Sequence, residues 1–399
     1  EVPDSATLTL KLVSGSAEIF GVEMAANKEY MFRDQNIAVF TWYGCTVESS
    51  GADSTLYIAD STPMVAYVNT HVQLEAKRDV ALANSDKGSR VMVVGPTDHG
   101  KSTVSQILAA YAVRLDRNPV FVDLDVGQGW ISIPGCIGAI PLEKSCLSVE
   151  DGFVNQNPLV YFFGQSSPKD NVDLYKILVS NLASKVNARL ERDSDARASG
   201  IIVNTCGWVD GVGYDVLLHC IQAFLIDVVL VMSSDKLYST LVSSLDANSP
   251  SGKSSVTVVK LPRSGGVVSR DTTVRRRLRK CSIREYFYGR PQSPLAIVFS
   301  PERREGLQLS SFVFLRVGGI QLTQGMRIVG DSSHQDACKL TRFAPTSELV
   351  NSIVAVLHSP VTESSSSSSS DSLQGLLASN VAGFLSIVQL DTDSDRMTV

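Results

Sequence analysis

The stretch "RVMVVGPTDHGKSTVSQILAAYAVRL", Arg90 to Leu115, joins an apolar run to a helical pattern through Gly95-Pro96-Thr97-Asp98-His99-Gly100-Lys101-Ser102. The spacing G-x-x-x-x-G-K-[ST] between a strand and a helix is that of a phosphate-holding loop. Its glycines let the backbone turn tightly and aim its amides inward, where they and the helix N-terminus bind phosphate oxygens. Lys101 is placed to reach β and γ phosphates, and the Ser102 hydroxyl to ligate Mg²⁺. Gly95, Thr97, Asp98, His99, Gly100, Lys101, Ser102 and Thr103 form the expected phosphate-binding set. For His99 a chemical role competes with the plainer one of offering its backbone amide.

Working outward, the runs "PVFVDLDVG", "PLVYFFG", "GIIVNTCGW", "DVVLVM" and "VTVVKL" alternate with longer helical stretches. Near-continuous apolar strands between helices predict a parallel sheet covered on both faces. Before it, "TLTLKLV", "AEIFGVEM", "EYMF", "IAVFTWYGCTVE" and "STLYIA" read as short strands of a β-sandwich. "TPMVAYVNTHVQLEAKRDVALA" reads as a helical connector with a polar break at "NSDKGS". Past "REYFYG", strands mix with "TSELVNSIVAVLHSP" and a low-complexity serine run, 364–370. The expected fold class is α/β. A central P-loop NTPase-type parallel sheet with helices on both faces is flanked by an N-terminal β-sandwich and a small C-terminal mixed α/β domain. The boundaries fall at 1–75 for the sandwich, 76–89 for the connector, 90–289 for the P-loop domain and 290–399 for the C-terminal domain with its Ser-rich loop.

Composition narrows the function classes. A net charge of −5 with a pI near 5.6 excludes a basic nucleic-acid coat, so any such contact must be a local patch. The 7 cysteines are scattered without C-x-x-C spacing, which reads as reduced thiols of a cytosolic or nuclear protein, with no disulfide frame and no zinc site. The 5 histidines are scattered too, and no histidine-based metal site is expected. No apolar run is long enough to span a membrane, and "EVPDSATLTLKLV" lacks the features of a secretory signal.

Other stretches carry chemistry. "VFVDLDVGQG" places Asp123 and Asp125 at a strand end facing the loop. Asp125 is the better candidate to accept a proton from an attacking hydroxyl and to support Mg²⁺, and Asp123 to cap the turn. Trp208, in "NTCGWVDGVGY", either stacks on a nucleobase or covers the core edge. The segment "SGGVVSRDTTVRRRLRKCSIREYFYG" holds Arg270, Arg275 and further basic residues. It is either a solvated polyanion-binding face or a lid, about 264–284, that closes arginines over a transferring phosphate. No N-K-x-D stretch follows "DVVLVM" to read guanine.

These pieces together resemble one family. "GPTDHGKSTVSQ", "VDLDVGQGWISIPG", "PLVYFFG", "NTCGWVDGVGY", "LPRSGGVVSR" and "IREYFYG", with "AEIFGVEM", "AVFTWYGC" and "TPMVAYVNTH", are similar to the eukaryotic polyribonucleotide 5′-hydroxyl kinases that are also pre-mRNA cleavage complex II subunits (the Clp-one family). The resemblance implies an ATP- and Mg²⁺-dependent kinase of RNA 5′-hydroxyl ends, single-stranded or duplex. It implies Lys101 on the phosphates, Ser102 and Asp125 at the metal, Asp125 as base, Trp208 and Gln128 on RNA, and Arg270 and Arg275 as lid arginines. It places Asn36 where the family often has a lysine on the nucleotide, an adenine-side contact, and an acidic adenine contact before residue 1. His99 replaces a small apolar residue. Expected partners are other cleavage factor subunits, with the tRNA splicing endonuclease as a further candidate; no membrane is expected, and the expected compartment is the nucleus. The alternative is a catalytically silent, ATP-bound scaffold subunit.

Overall fold

The computed structural model describes residue 2 and residues 6–51, 56–153, 157–247, 255–289, 303–318, 337–359 and 375–399. The serine run 364–370 lies outside them. A seven-stranded sheet forms the centre, in spatial order Leu159–Phe162, Cys136–Pro141, Val120–Asp123, Ile201–Asn204, Arg90–Val94, Val228–Met232 and Thr257–Leu261. The last five run parallel, while Cys136–Pro141 runs antiparallel to both its neighbours. The fold is the α/β class read from the sequence, with one antiparallel strand that the reading missed. Gly138 interrupts that strand and Pro141 ends it, so its β signal is weak.

The inner strands Arg90–Val94, Val120–Asp123, Ile201–Asn204 and Val228–Met232 are mostly apolar and buried because both faces are covered. Successive residues point to opposite faces. Val91 and Val93 therefore pack with Ile107 and Leu108 of helix Lys101–Arg114. Met92 and Val94 pack with Leu178 and Leu182 of Val172–Arg192 and with Leu217 of Val212–Ala223.

In the N-terminal strand Leu8–Gly15, Leu8, Leu10 and Leu12 are buried while Thr9 and Lys11 are half-buried, the period of two of a one-sided strand. It pairs antiparallel with Glu29–Phe32 and Cys45–Gly51. Val22–Glu23, Glu18–Ile19 and Val39–Phe40 form a second small sheet. Leu10, Ile19 and Phe32 share one apolar cluster with Ile107 and Ala110, which seats this domain on the helix that follows the phosphate loop. Glu18 reinforces the seat by accepting from Arg114 Nη1 at 2.8 Å and from the Tyr111 hydroxyl.

Two expectations are corrected. Residues 56–59 of "STLYIA" are not a strand; Leu56, Tyr57 and Ile58 are exposed, and β propensity without a pairing neighbour does not order a strand. The boundary at residue 75 cuts the continuous helix Met64–Asn84, whose buried Met64, Tyr67, His71, Leu74, Arg78 and Ala81 follow helical spacing. The C-terminal region, read as mixed α/β, holds strands and 3₁₀ turns among its described residues. There "TSELVNSIVAVLHSP" contains the turn Ser347–Leu349 and the strand Ile353–Leu357, paired with Val381–Ser386.

The arginine segment is the helix Thr272–Tyr288, started by the Asp271 carboxylate on the Val274 amide at 2.7 Å. Its far end is pinned by rings. Tyr286 lies 5.5 Å from Phe384, which lies 5.6 Å from Phe162 on the sheet edge. Phe384 is buried, so Phe384→Ala is expected to destabilise by about 3–5 kcal/mol. Hydrogen exchange should also speed up at Phe287 and Tyr288 relative to Arg275. Unchanged exchange there would mean the rings do not hold the helix.

Candidate phosphoryl-transfer site

The carboxyl ends of Val120–Asp123, Ile201–Asn204 and Arg90–Val94 are adjacent in the sheet, and the loop after Arg90–Val94 runs across them. Gly100 turns that loop into the helix at φ 79°, a conformation that favours glycine. Gly207 comes so close to the loop that a Cβ there would stand 2.2 Å from Thr97 Oγ1 and 2.6 Å from Thr97 N. His99 turns its Nδ1 back to the Thr97 carbonyl at 2.8 Å and so stiffens the loop it belongs to.

Lys101 is 7% exposed, with Nζ donating to the Pro96 carbonyl at 2.9 Å. Burial pulls its ammonium below the ordinary lysine pKa, and the nearby Asp125 carboxylate pulls the other way. Asp125 is half-buried and accepts the Gly127 amide at 2.9 Å. Burial raises its pKa, against the Gly127 amide, Lys101, the Gln128 amide and Arg275. Asp123 has a different job. Its carboxylate accepts from the Asp125 amide at 3.0 Å, the Trp130 amide at 2.9 Å and Asn204 Nδ2 at 3.0 Å. It caps the turn that carries Asp125, and burial together with the Asp125 charge pushes its pKa up to about 6.

Asn204 is the residue that sequence reasoning placed at a strand end but gave no role. Its Oδ1 accepts from Ser102 Oγ at 3.3 Å while its Nδ2 holds Asp123, so it ties the loop to the acidic turn. The available signal was a polar residue ending the apolar strand "IIVN". Cys206 also belongs to this wall; burial and the Asp125 charge push its thiol up to about 11.

The arginine segment closes the site from the far side. Arg275 Nη2 pairs with Asp98 Oδ2 at 2.5 Å, the Arg270 amide donates to the same oxygen at 3.0 Å, and Arg275 Nε donates to the Arg270 carbonyl at 3.0 Å. Arg270 Nη1 reaches Gln128 Oε1, in the turn after Asp125, at 3.3 Å. The structure thus brings together Lys101, Ser102, Asp125, Gln128, Arg270 and Arg275, with Asp98 facing the arginines by its side chain. Trp208 is half-buried beside them. Its ring lies against Gly213, where a Cβ would come within 2.6 Å, and Lys169 Nζ stands 5.3 Å from its centroid. Asn36 makes no side-chain hydrogen bond among the described residues; two positions before it, Asp34 accepts from Arg277 Nη2 at 2.6 Å on the arginine helix.

Comparison with known proteins agrees with this architecture. Residues 95–289 match the family described as the mRNA cleavage and polyadenylation factor CLP1 P-loop. Residues 1–81 match the N-terminal beta-sandwich domain of polyadenylation factor, and 300–399 match the pre-mRNA cleavage complex II protein Clp1. The chain is 40% identical over 400 residues to proteins of Gallus gallus and Homo sapiens named polyribonucleotide 5′-hydroxyl-kinase Clp1, covering 100% of itself and 88% of each. With the Danio rerio protein of that name it shares 41%, covering 86% of it. Among solved structures, the Clp1p chain of a complex with Pcf11p superposes with a TM-score of 0.78 at 23% identity, covering 100% of this chain and 92% of that one. A second Clp1p–Pcf11p structure, described with the basis of ATP loss in a point mutant, superposes at 0.79 and 24% identity, covering 98% and 89%.

Because a Cβ at position 207 has no room beside Thr97, Gly207→Ala should displace the phosphate loop. Titration with a fluorescent nucleotide should show affinity lowered by about tenfold or more, or ~1.4 kcal/mol. Wild-type affinity in Gly207→Ala would mean that the close approach is not needed.

Proposed function

The chain belongs to the Clp1 family of mRNA cleavage and polyadenylation factors, and on that premise we propose that it transfers the ATP γ-phosphate to a polynucleotide 5′-hydroxyl. The observation that carries the reading is the convergence at one sheet edge of a buried ammonium, a half-buried carboxylate and two arginines fastened over the loop.

In this reading the loop amides from Gly95 to Thr103 hold the ATP phosphates, and Lys101 exchanges the Pro96 carbonyl for the β and γ oxygens. Asp125 takes the proton of the 5′-hydroxyl as the new O–P bond forms and the bond to ADP breaks. Arg270 and Arg275 meet the charge that spreads over the equatorial oxygens. Catalysis is then mostly positioning and charge stabilisation. The residues present fit a Mg²⁺ ion held largely by substrate. Ser102 offers an exposed hydroxyl and Asp125 a carboxylate, while no cluster of three or more His, Cys, Asp or Glu ligands exists among the described residues. Such a donor set suits an ion that fills its shell with phosphate oxygens and water, and when bound the ion neutralises β and γ phosphate charge. Trp208 and Gln128 face the acceptor, with the indole as a stacking platform for the terminal base.

The chain also serves, in this reading, as a subunit of the pre-mRNA cleavage machinery, supported by its family and by the Pcf11p complexes of its structural relatives; a nuclear compartment is carried by the sequence resemblance alone. The tRNA splicing endonuclease as a partner is carried by the sequence resemblance alone.

Transfer of label from γ-labelled ATP to 5′-hydroxyl oligonucleotides should be abolished in Lys101→Ala and lowered about 10²-fold or more in Asp125→Asn. If Asp123→Asn is the more damaging change, the assigned base is wrong.

The pH profile supplies a separate check. Asp125 works only when ionised and burial raises its pKa, so kcat/KM should climb with pH through a limb above the ordinary aspartate value of about 3.9. Lys101 works only when protonated and burial lowers its pKa, so the alkaline fall should come below the ordinary lysine value of about 10.4. Asp125→Asn should remove the acid limb; a limb that survives belongs to another group.

A further inference from the structure

We propose that the Asp98 side chain is a positioning residue: it latches the arginine segment onto the phosphate loop and so sets Arg275 where the transferring phosphate gains charge. This rests on the reading of Arg270 and Arg275 as phosphoryl-transfer groups.

The starting point is a charge in an unexpected place. A loop that binds phosphate gathers N–H donors, and a carboxylate within it repels the ligand. Backbone geometry does not demand one. Asp98 has φ 57°, but asparagine adopts this region as readily and carries no charge. The carboxylate therefore answers something else.

It answers the arginine segment. Oδ2 of Asp98 holds Arg275 Nη2 at 2.5 Å and the Arg270 amide at 3.0 Å, and Arg275 Nε closes onto the Arg270 carbonyl at 3.0 Å. These bonds form a ring between the loop and the start of helix Thr272–Tyr288. The Asp98 and Arg275 side chains are only 19% and 25% exposed, so water screens the pair weakly. The second ion pair from this helix, Arg277 with Asp34, reaches the N-terminal domain, and its arginine is 48% exposed. The Asp98–Arg275 pair thus has the better shielded arginine, and it is the one within the phosphate loop. A guanidinium has five N–H donors, and Arg275 spends two of its nitrogens here, Nε and Nη2. Its Nη1 end stays available for phosphate oxygens, so latching does not exhaust the arginine.

The sign of the kinetic effect follows. Removing the Asp98 charge relieves repulsion of bound ATP but frees Arg275. Asp98→Asn should therefore lower kcat by about tenfold or more, as small misplacements do, with KM for ATP unchanged or lower. A residue that merely held the loop together would raise KM. Since the effect runs through Arg275, Asp98→Asn combined with Arg275→Ala should be no slower than Arg275→Ala alone.

A readout without activity accompanies these. Trypsin should cut after Arg270 and Arg275 several-fold faster in Asp98→Ala than in the wild type, with cutting after Arg304 unchanged. Normal kcat in Asp98→Asn, multiplicative losses in the double variant, or unchanged cutting in Asp98→Ala would each overturn the proposal. If the wild type transfers no phosphate, the kinase reading fails, and the trypsin comparison still decides whether Asp98 holds the segment down.

Discussion

Lys101 keeps an ammonium group at 7% exposure, and a charge so placed needs a compensating partner. Asp125 supplies the charge and the Pro96 carbonyl a hydrogen bond. Asp125 in turn needs a fixed turn, which Asp123 caps; Asp123 needs Asn204; and Asn204 meets Ser102, the neighbour of Lys101. The chain of dependence closes on itself across three strand ends. It works only because Ile201–Asn204 lies between Val120–Asp123 and Arg90–Val94 in the sheet. Sheet order, not sequence proximity, brings the acidic turn to the phosphate loop.

The same site draws on all three regions of the chain. The N-terminal domain is seated on the helix that begins at Lys101 and reaches the arginine helix through Asp34. The C-terminal region holds that helix's far end through Phe384. Its near end is fastened to the phosphate loop. A helix with no buried residue of its own is thereby oriented by its neighbours, which suits an element that must let substrate in and still place an arginine.

The central domain was the most legible in sequence, because strands covered on both faces leave continuous apolar runs and the phosphate loop has fixed spacing. Cys136–Pro141 escaped because Gly138 and Pro141 dilute its pattern. Residues 56–59 misled because β propensity says nothing about a pairing partner. In the site, Lys101, Asp125 and the arginines announce themselves by residue type. Asn204 does not, since its role exists only once two strands lie side by side. Asp98 was legible as a loop residue, but its carboxylate's partner sits 177 residues away along the chain. Trp208 stood open between core and stacking; the structure leaves it half-buried against Gly213, beside the loop.

The central claim is that the phosphates held by this loop are delivered to a polynucleotide 5′ end. The most direct test gives the purified wild-type chain γ-labelled ATP with one oligonucleotide in two forms, ending in a 5′-hydroxyl or a 5′-phosphate. Label should appear on the hydroxyl form alone, with one ADP formed for each phosphate transferred. Bound ATP with no label on either form, or label released only as inorganic phosphate, would contradict the account.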